Sequence, residues 1–309
     1  FFFGPLPPPP APFATQARPS NAMSSLIPRY DPTLFGEIHQ LSAYLPTEEN
    51  KESIQFIFYI AAVIAIIHCC LYVVVKLWDG YRKGDGESSD EKRASSFDAS
   101  KAAYQLTNLF VNLTLGCLGI YYQVSIPLAE SAMNKIVGYE QNKIFALGQV
   151  GYQLWALPVG LFVVGEAKSM IMHHIAVICV GSVSAFIRCG FRYYVPYFYG
   201  VIEISSVPLS IMNSFKNNRE WIKAYPEMYA TVRLVFAITF LLVRVLLWTP
   251  FYWNFFAYAS MLLYSSESMS TRAILACFNL SSLILTFLQY FWATKIVSAA
   301  VQGNQSKRK

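Results

Sequence analysis

Residues 169–213 read SMIMHHIAVICVGSVSAFIRCGFRYYVPYFYGVIEISSVPLSIMN. The segment divides into two apolar spans, 169–187 and 193–212, joined by a short turn that carries Arg188 and Arg192. About 20 residues of helix, at ~1.5 Å each, cross the ~30 Å hydrocarbon core of a bilayer. Each span therefore reads as a membrane helix. Ionisable side chains inside such a helix are costly, and a functional role is their default reading. Here they are His173 and His174 near the start of one span and Glu203 near the middle of the other.

The composition supports a membrane protein. Of 309 residues, 55% are hydrophobic and only 14% are charged, against roughly 25% charged in a soluble domain. The net charge of +6 sits in loops and at span ends, where topology accounts for it. No basic face on a soluble domain is left over to bind nucleic acid. The six cysteines form no CxxC, so neither a disulfide framework nor a cysteine metal site is expected, and the thiols read as buried and inert.

The chain opens on Phe1 and runs through Pro7–Pro10, an open polyproline stretch. Residues 1–50 are expected to be a flexible tail, with Met23 the expected translation start. Spans follow at about 54–78, 103–124, 144–165, 169–187, 193–212, 229–248 and 273–295. The first contains His68, expected to be packed and hydrogen-bonded, and the second turns Asn108 and Asn112 to one inward face. Pro250 is expected to break the sixth span, leaving 251–264 to re-enter the membrane or lie at its interface. Arg244 can snorkel toward headgroups, the preferred reading, or offset a buried acid.

The expected fold is an all-α polytopic bundle of about seven transmembrane helices, with six or eight as alternatives, around a lipid-accessible cavity. Basic residues between Lys76 and Lys101 place that loop in the cytosol, the N-terminus in the lumen and the C-terminus in the cytosol. The Arg188–Arg192 turn runs against this pattern.

Tyr199, Glu203, Ser206, Ser210 and Asn213 recur at intervals of four, three, four and three residues. At ~100° per residue they fall within roughly an 80° arc. On the preceding span Glu166, His173 and Ser184 share a side, with His174 turned about 100° away. Two such stripes can line a hydrated cavity or simply hold helices together. A histidine pair and a buried acid suit proton transfer near neutral pH. Zinc is not expected, because adjacent histidines on a helix diverge.

At these residues the chain resembles the TLC-domain family of multispan endomembrane proteins, which includes the ceramide synthases. The likeness rests on His173-His174, Ser182, Ser184, Gly200 through Pro208 with its Glu203-x-Ser-Ser-x-Pro, Asn213, Arg219-Glu-Trp221, Phe240 through Arg244, and Gly151-Tyr152. In the ceramide synthases a histidine pair and two downstream aspartates transfer a fatty acyl chain from coenzyme A to a long-chain base. His173 and His174 match that pair. Glu203 stands near the first aspartate and Ser206 near the second, which removes one acid. Ala156 replaces a polar residue often found after Gly-Tyr, and no homeobox-like segment is present. The pattern is closest to the small TLC-domain branch.

The resemblance implies a TLC domain at 98–300, after a first helix and charged loop at 51–97 and before a basic tail at 301–309. It also implies membrane lipid metabolism or homeostasis in the endoplasmic reticulum. Acyl transfer would use His173, His174 and Glu203, with Tyr199, Ser206, Ser210 and Asn213 holding lipid. Membrane lipids are the expected partners and acyl-coenzyme A the candidate substrate, with no resident cofactor. The rival readings are a non-catalytic lipid-binding or trafficking regulator and, last, a transporter.

Overall fold

The computed structural model describes residues 49–84, 98–128, 130–187, 189–266 and 268–306. The expected N-terminal tail up to residue 48, loop residues 85–97, Arg188 and the final Lys307-Arg308-Lys309 lie outside the described residues. Among the described residues the chain is helical, with no strand. The long elements are α1 (Glu49–Gly84), α2 (Ala99–Val124), α4 (Lys143–Val159), α5 (Lys168–Phe186), α7 (Ser206–Asn217), α9 (Pro226–Leu241), α10 (Trp248–Ser265) and α11 (Met269–Ser306). Short helices α3 (Ala132–Val137), α6 (Val195–Tyr199) and α8 (Arg219–Ala224) fall between them.

Among the described residues six segments are long and apolar enough to cross a membrane: Asn50–Tyr81, Ala132–Val164, Lys168–Phe186, Val195–Asn217, Pro226–Ser265 and Met269–Val301. This is an all-α polytopic bundle. Helix α2 is not among the six. It spends its inward face on Tyr104, Gln105, Asn108 and Asn112, all buried, and its apolarity falls accordingly. Large apolar side chains such as Phe58, Phe162, Leu234 and Phe287 point outward, an exposure that a lipid environment satisfies.

The helices close a ring. Helix α2 packs on α7, α7 on α9, α5 on α4 and α11, and α10 on α11, while α1 lies outside against α2 and α4. Only one side of α1 (Ser53, Ile57, Ile64, Val75) is buried. Glycine permits the closest crossing. A Cβ on Gly119 of α2 would sit 2.5 Å from the backbone of Gly200, and a Cβ on Gly200 would sit 2.5 Å from Gly119 Cα. Small residues allow membrane helices to approach backbone to backbone.

Three expectations change. The span read as one helix at 193–212 is a short helix, α6, then a 3₁₀ turn at Val201–Ser205, then α7. Arg244 does not snorkel. It lies in a π-helical turn, Leu242–Leu246, and its side chain is 6% exposed. Pro250 does not separate 251–264 from the preceding helix, because it falls in the first turn of α10, directly after that π turn, where a proline is well tolerated. The continuous stretch Pro226–Ser265 has 40 residues, or ~60 Å at 1.5 Å per residue, twice the ~30 Å hydrocarbon core.

The cysteines also depart from expectation. Cys69, Cys70, Cys117 and Cys277 are exposed, and only Cys189 is buried. An apolar run in a membrane helix faces lipid as readily as protein, so apolarity alone does not predict burial.

The turn whose charge ran against the topology has a structural use for Arg192. Its Nε donates to Ser184 O at 3.1 Å and its Nη2 to Ala185 O at 3.3 Å, while Nη1 pairs with Glu140. Those carbonyls belong to the last turn of α5, where a cation satisfies groups that the helix leaves open. His68 lies beside Thr107, with Oγ1 and Nδ1 3.4 Å apart, and against the Trp155 ring.

Candidate functional site

The ring encloses a cavity of about 310 Å³. Helix α2 contributes its polar face, α4 Tyr152 and Gln153, α5 His173 and His174, and α7 Ser206, Ser210 and Asn213. Phe236 and Phe240 from α9 and Trp292 and Ile296 from α11 form apolar walls. Lys216, exposed near the end of α7, marks where the cavity nears the surface.

The two histidines have different surroundings. His174 is buried and fully engaged: Nε2 lies 2.9 Å from Glu166 Oε2, and Nδ1 makes a short contact with Gln153 Oε1. Tyr104 donates its hydroxyl to the other carboxylate oxygen, Glu166 Oε1, at 3.0 Å. Both atoms facing the His174 ring are acceptors. Both ring nitrogens of His174 are thus occupied by protein groups, which fixes the ring's orientation. His173 packs between the His174 and Trp292 rings, with centroids at 5.8 and 5.6 Å. Its Nδ1 is buried without a protein hydrogen-bond partner.

Glu203 belongs to a second cluster. Its Oε2 accepts from Ser206 Oγ at 2.6 Å and from Arg244 Nη2 at 3.1 Å, and its Oε1 accepts from Gln149 Nε2 at 3.2 Å. Arg244 also donates to Ser205 Oγ at 2.7 Å and Ser206 Oγ at 2.8 Å. The cavity thus carries two polar pairs, the hydrogen-bonded Glu166–His174 and the ion pair Glu203–Arg244.

The π turn explains how Arg244 reaches this point. A wide turn leaves a backbone carbonyl free, and Val243 O accepts the Tyr197 hydroxyl. Such bulges are frequent at functional sites. At the other pair, Gly165 adopts a left-handed conformation after a π turn at Gly160–Val164, and the chain folds Glu166 back over Gly160. A Cβ at Gly160 would come within 2.6 Å of the Glu166 carboxylate, so glycine makes the space this acid occupies.

The stripe read from sequence is divided by the 3₁₀ turn. Ser206, Ser210 and Asn213 line the large cavity. Tyr199 instead lines a smaller chamber, which shares His173 and Glu203 with the cavity. Ser210 donates to Ser206 O at 3.0 Å. The part of the likeness at Gly200-Val-Ile-Glu203 takes on meaning here, because these residues form the tight turn against α2 and deliver the buried acid. The TLC domain family matches residues 98–298. The chain is a TLC-domain protein. The first helix, α1, lies outside both that match and the helix ring. No curated protein and no solved structure matches the chain.

The residues that sequence reading missed as site members are Tyr104, Gln149, Gln153 and Ser205. Glu166 was placed on the side of His173, yet it bonds His174. The helical-wheel arithmetic fails there because α5 begins at Lys168, after an extended Ala167. Among the described residues, no group of three or more His, Cys, Asp or Glu side chains is arranged to hold a metal ion.

Proposed function

We propose that this TLC-domain protein, an integral membrane protein of lipid metabolism or homeostasis, transfers an acyl group to a lipid acceptor inside the bundle. The observation that carries the reading is His173. Its imidazole lines the cavity, packs between the His174 and Trp292 rings and, among the described residues, forms no side-chain ion pair of its own, unlike Glu203 with Arg244 beside it. A neutral imidazole there can take the proton from an acceptor hydroxyl or amine as that group attacks an acyl thioester. The proton then passes to the departing thiolate. His174, held through both ring nitrogens by Glu166 and Gln153, acts as a positioning residue that packs against the His173 ring.

Glu203 acts as a positioning residue, holding Gln149 and Arg244 beside the histidine. Ser206, Ser210 and Asn213 would contact the lipid directly, and Tyr199 would act from the small chamber. Acyl-coenzyme A is the proposed donor and membrane lipids the acceptors. The endoplasmic reticulum is the proposed site, with the N-terminus lumenal and the C-terminus cytosolic.

The test is a mass-spectrometric lipid profile of membranes containing wild type, His173→Ala or Glu203→Gln at matched protein levels, followed by purified protein with acyl-coenzyme A. An acyl lipid that rises only with wild type supports transfer. Equal profiles for all three reject it. A specific observation favours a second reading, a lipid-binding regulator: Glu203 is fully engaged with Arg244 and Ser206 and leaves no second free base. Under that reading His173→Ala changes lipid retention on purification and makes no product appear or vanish.

A further inference from the structure

The chamber that adjoins the cavity has a volume of about 30 Å³. Much of its wall is apolar, including Val177, Val180, Ile202 and Leu285; of its polar groups, Glu203, Tyr199, Tyr252 and Ser282 already have protein partners, which leaves Gln149, His173 and Gln289. Each of these three carries a buried polar atom with no protein hydrogen-bond partner: Gln149 Oε1, His173 Nδ1 and Gln289 Oε1. Buried polar groups without partners are rare, and a cluster of them around a void points to a ligand. A space of at least ~10–15 Å³ with two to four polar partners holds an ordered water.

We propose that this chamber is a built site for a structural water that bridges Gln149, Gln289 and His173. The hydrogen-bond count dictates the water's orientation. Both amide oxygens can only accept, so they take both water hydrogens. A remaining lone pair on the water then faces His173 and can only receive a hydrogen. His173 must therefore carry its proton on Nδ1, leaving Nε2 with a bare lone pair. The water acts as the orienting partner of His173, as a carboxylate or carbonyl does for a histidine held in one tautomer. Gln149 also donates to Glu203 at 3.2 Å, so the same amide links the acid cluster to the tautomer of the histidine. The consequence for catalysis, a base of fixed polarity at Nε2, rests on the acyl-transfer reading. The water site does not.

The test is solid-state nitrogen NMR on ¹⁵N-histidine-labelled protein in lipid nanodiscs at pH 8, with His173→Gln used to assign the signals. The expected spectrum shows His173 neutral, with the Nδ1–H form favoured about tenfold, the ratio that one net buried hydrogen bond sustains. A magnetisation-transfer contact from that proton to water is also expected. Gln289→Met, which removes one acceptor, and Val180→Ile, which fills the chamber, should each bring the two tautomers toward equal populations. A wild-type His173 protonated on Nε2 would overturn the proposal. So would an Nδ1–H form that neither variant shifts. If the water contact and tautomer appear but no acyl product forms, acyl transfer fails and the water site stands.

Discussion

Breaking the Glu203–Arg244 pair offers the most direct measure of how this bundle is held. The two groups lie 3.1 Å apart with both side chains 6% exposed. At that distance the Coulomb attraction is about 5 kcal/mol for an effective dielectric of about 20. Desolvation offsets much of it, so the pair itself contributes little net stability. Removing one member is different, because it strands the other charge inside the bundle at a cost of about 3–5 kcal/mol. Arg244→Met leaves Glu203 with only Ser206 and Gln149, and Glu203→Gln leaves Arg244 with only Ser205 and Ser206. Each single variant should lose about 3 kcal/mol, while the double variant should lose clearly less than their sum, with a coupling of about 2 kcal/mol or more. Reversible SDS unfolding in mixed micelles, read by tryptophan fluorescence, gives all four corners of the cycle. Additive losses, or an Arg244→Met variant as stable as wild type, would refute the buried pair and return Arg244 to the membrane surface.

Gly119→Ala should destabilise by about 1–3 kcal/mol, since the contacted atoms are backbone and cannot swing aside. Gly80→Ala on α1, where a Cβ meets nothing within 4 Å, is the control and should be neutral or stabilising by up to about 1 kcal/mol; thermal melts in detergent compare the two. Gly160→Ala pushes on the Glu166 carboxylate and should lower acyl product or lipid retention at least as much as Glu166→Gln, while the helical circular dichroism stays unchanged. Arg192→Met removes the cap from the last turn of α5 and should cost about 1–3 kcal/mol. Its signature is faster hydrogen exchange at residues 184–187 than at the start of the same helix.

Much of the fold was legible in the sequence because a bilayer imposes a one-dimensional rule: apolar runs of spanning length become helices. That rule located α1, α4, α5, α9 and α11, and it identified a polar face on α2 from Asn108 and Asn112. It could not separate apolar residues facing lipid from those facing protein, so the exposed cysteines were misread. The site was legible as residue types, His173, His174 and Glu203, since ionisable groups stand out in an apolar span.

Their pairing was not legible. Helical-wheel arithmetic assumes an unbroken helix, and it fails at the turn before α5, at the 3₁₀ turn after Gly200 and at the π turn around Arg244. Those breaks decide that Glu166 reaches His174, that Arg244 reaches Glu203 and that His173 is left with an unpartnered nitrogen. The sequence by itself determined that the protein is a membrane bundle of the TLC family carrying charge in its interior. Tertiary structure alone decided which polar groups pair, because Glu203 and Arg244 come from separate segments, Glu166 from the turn before α5, and the irregular turns set the direction of each.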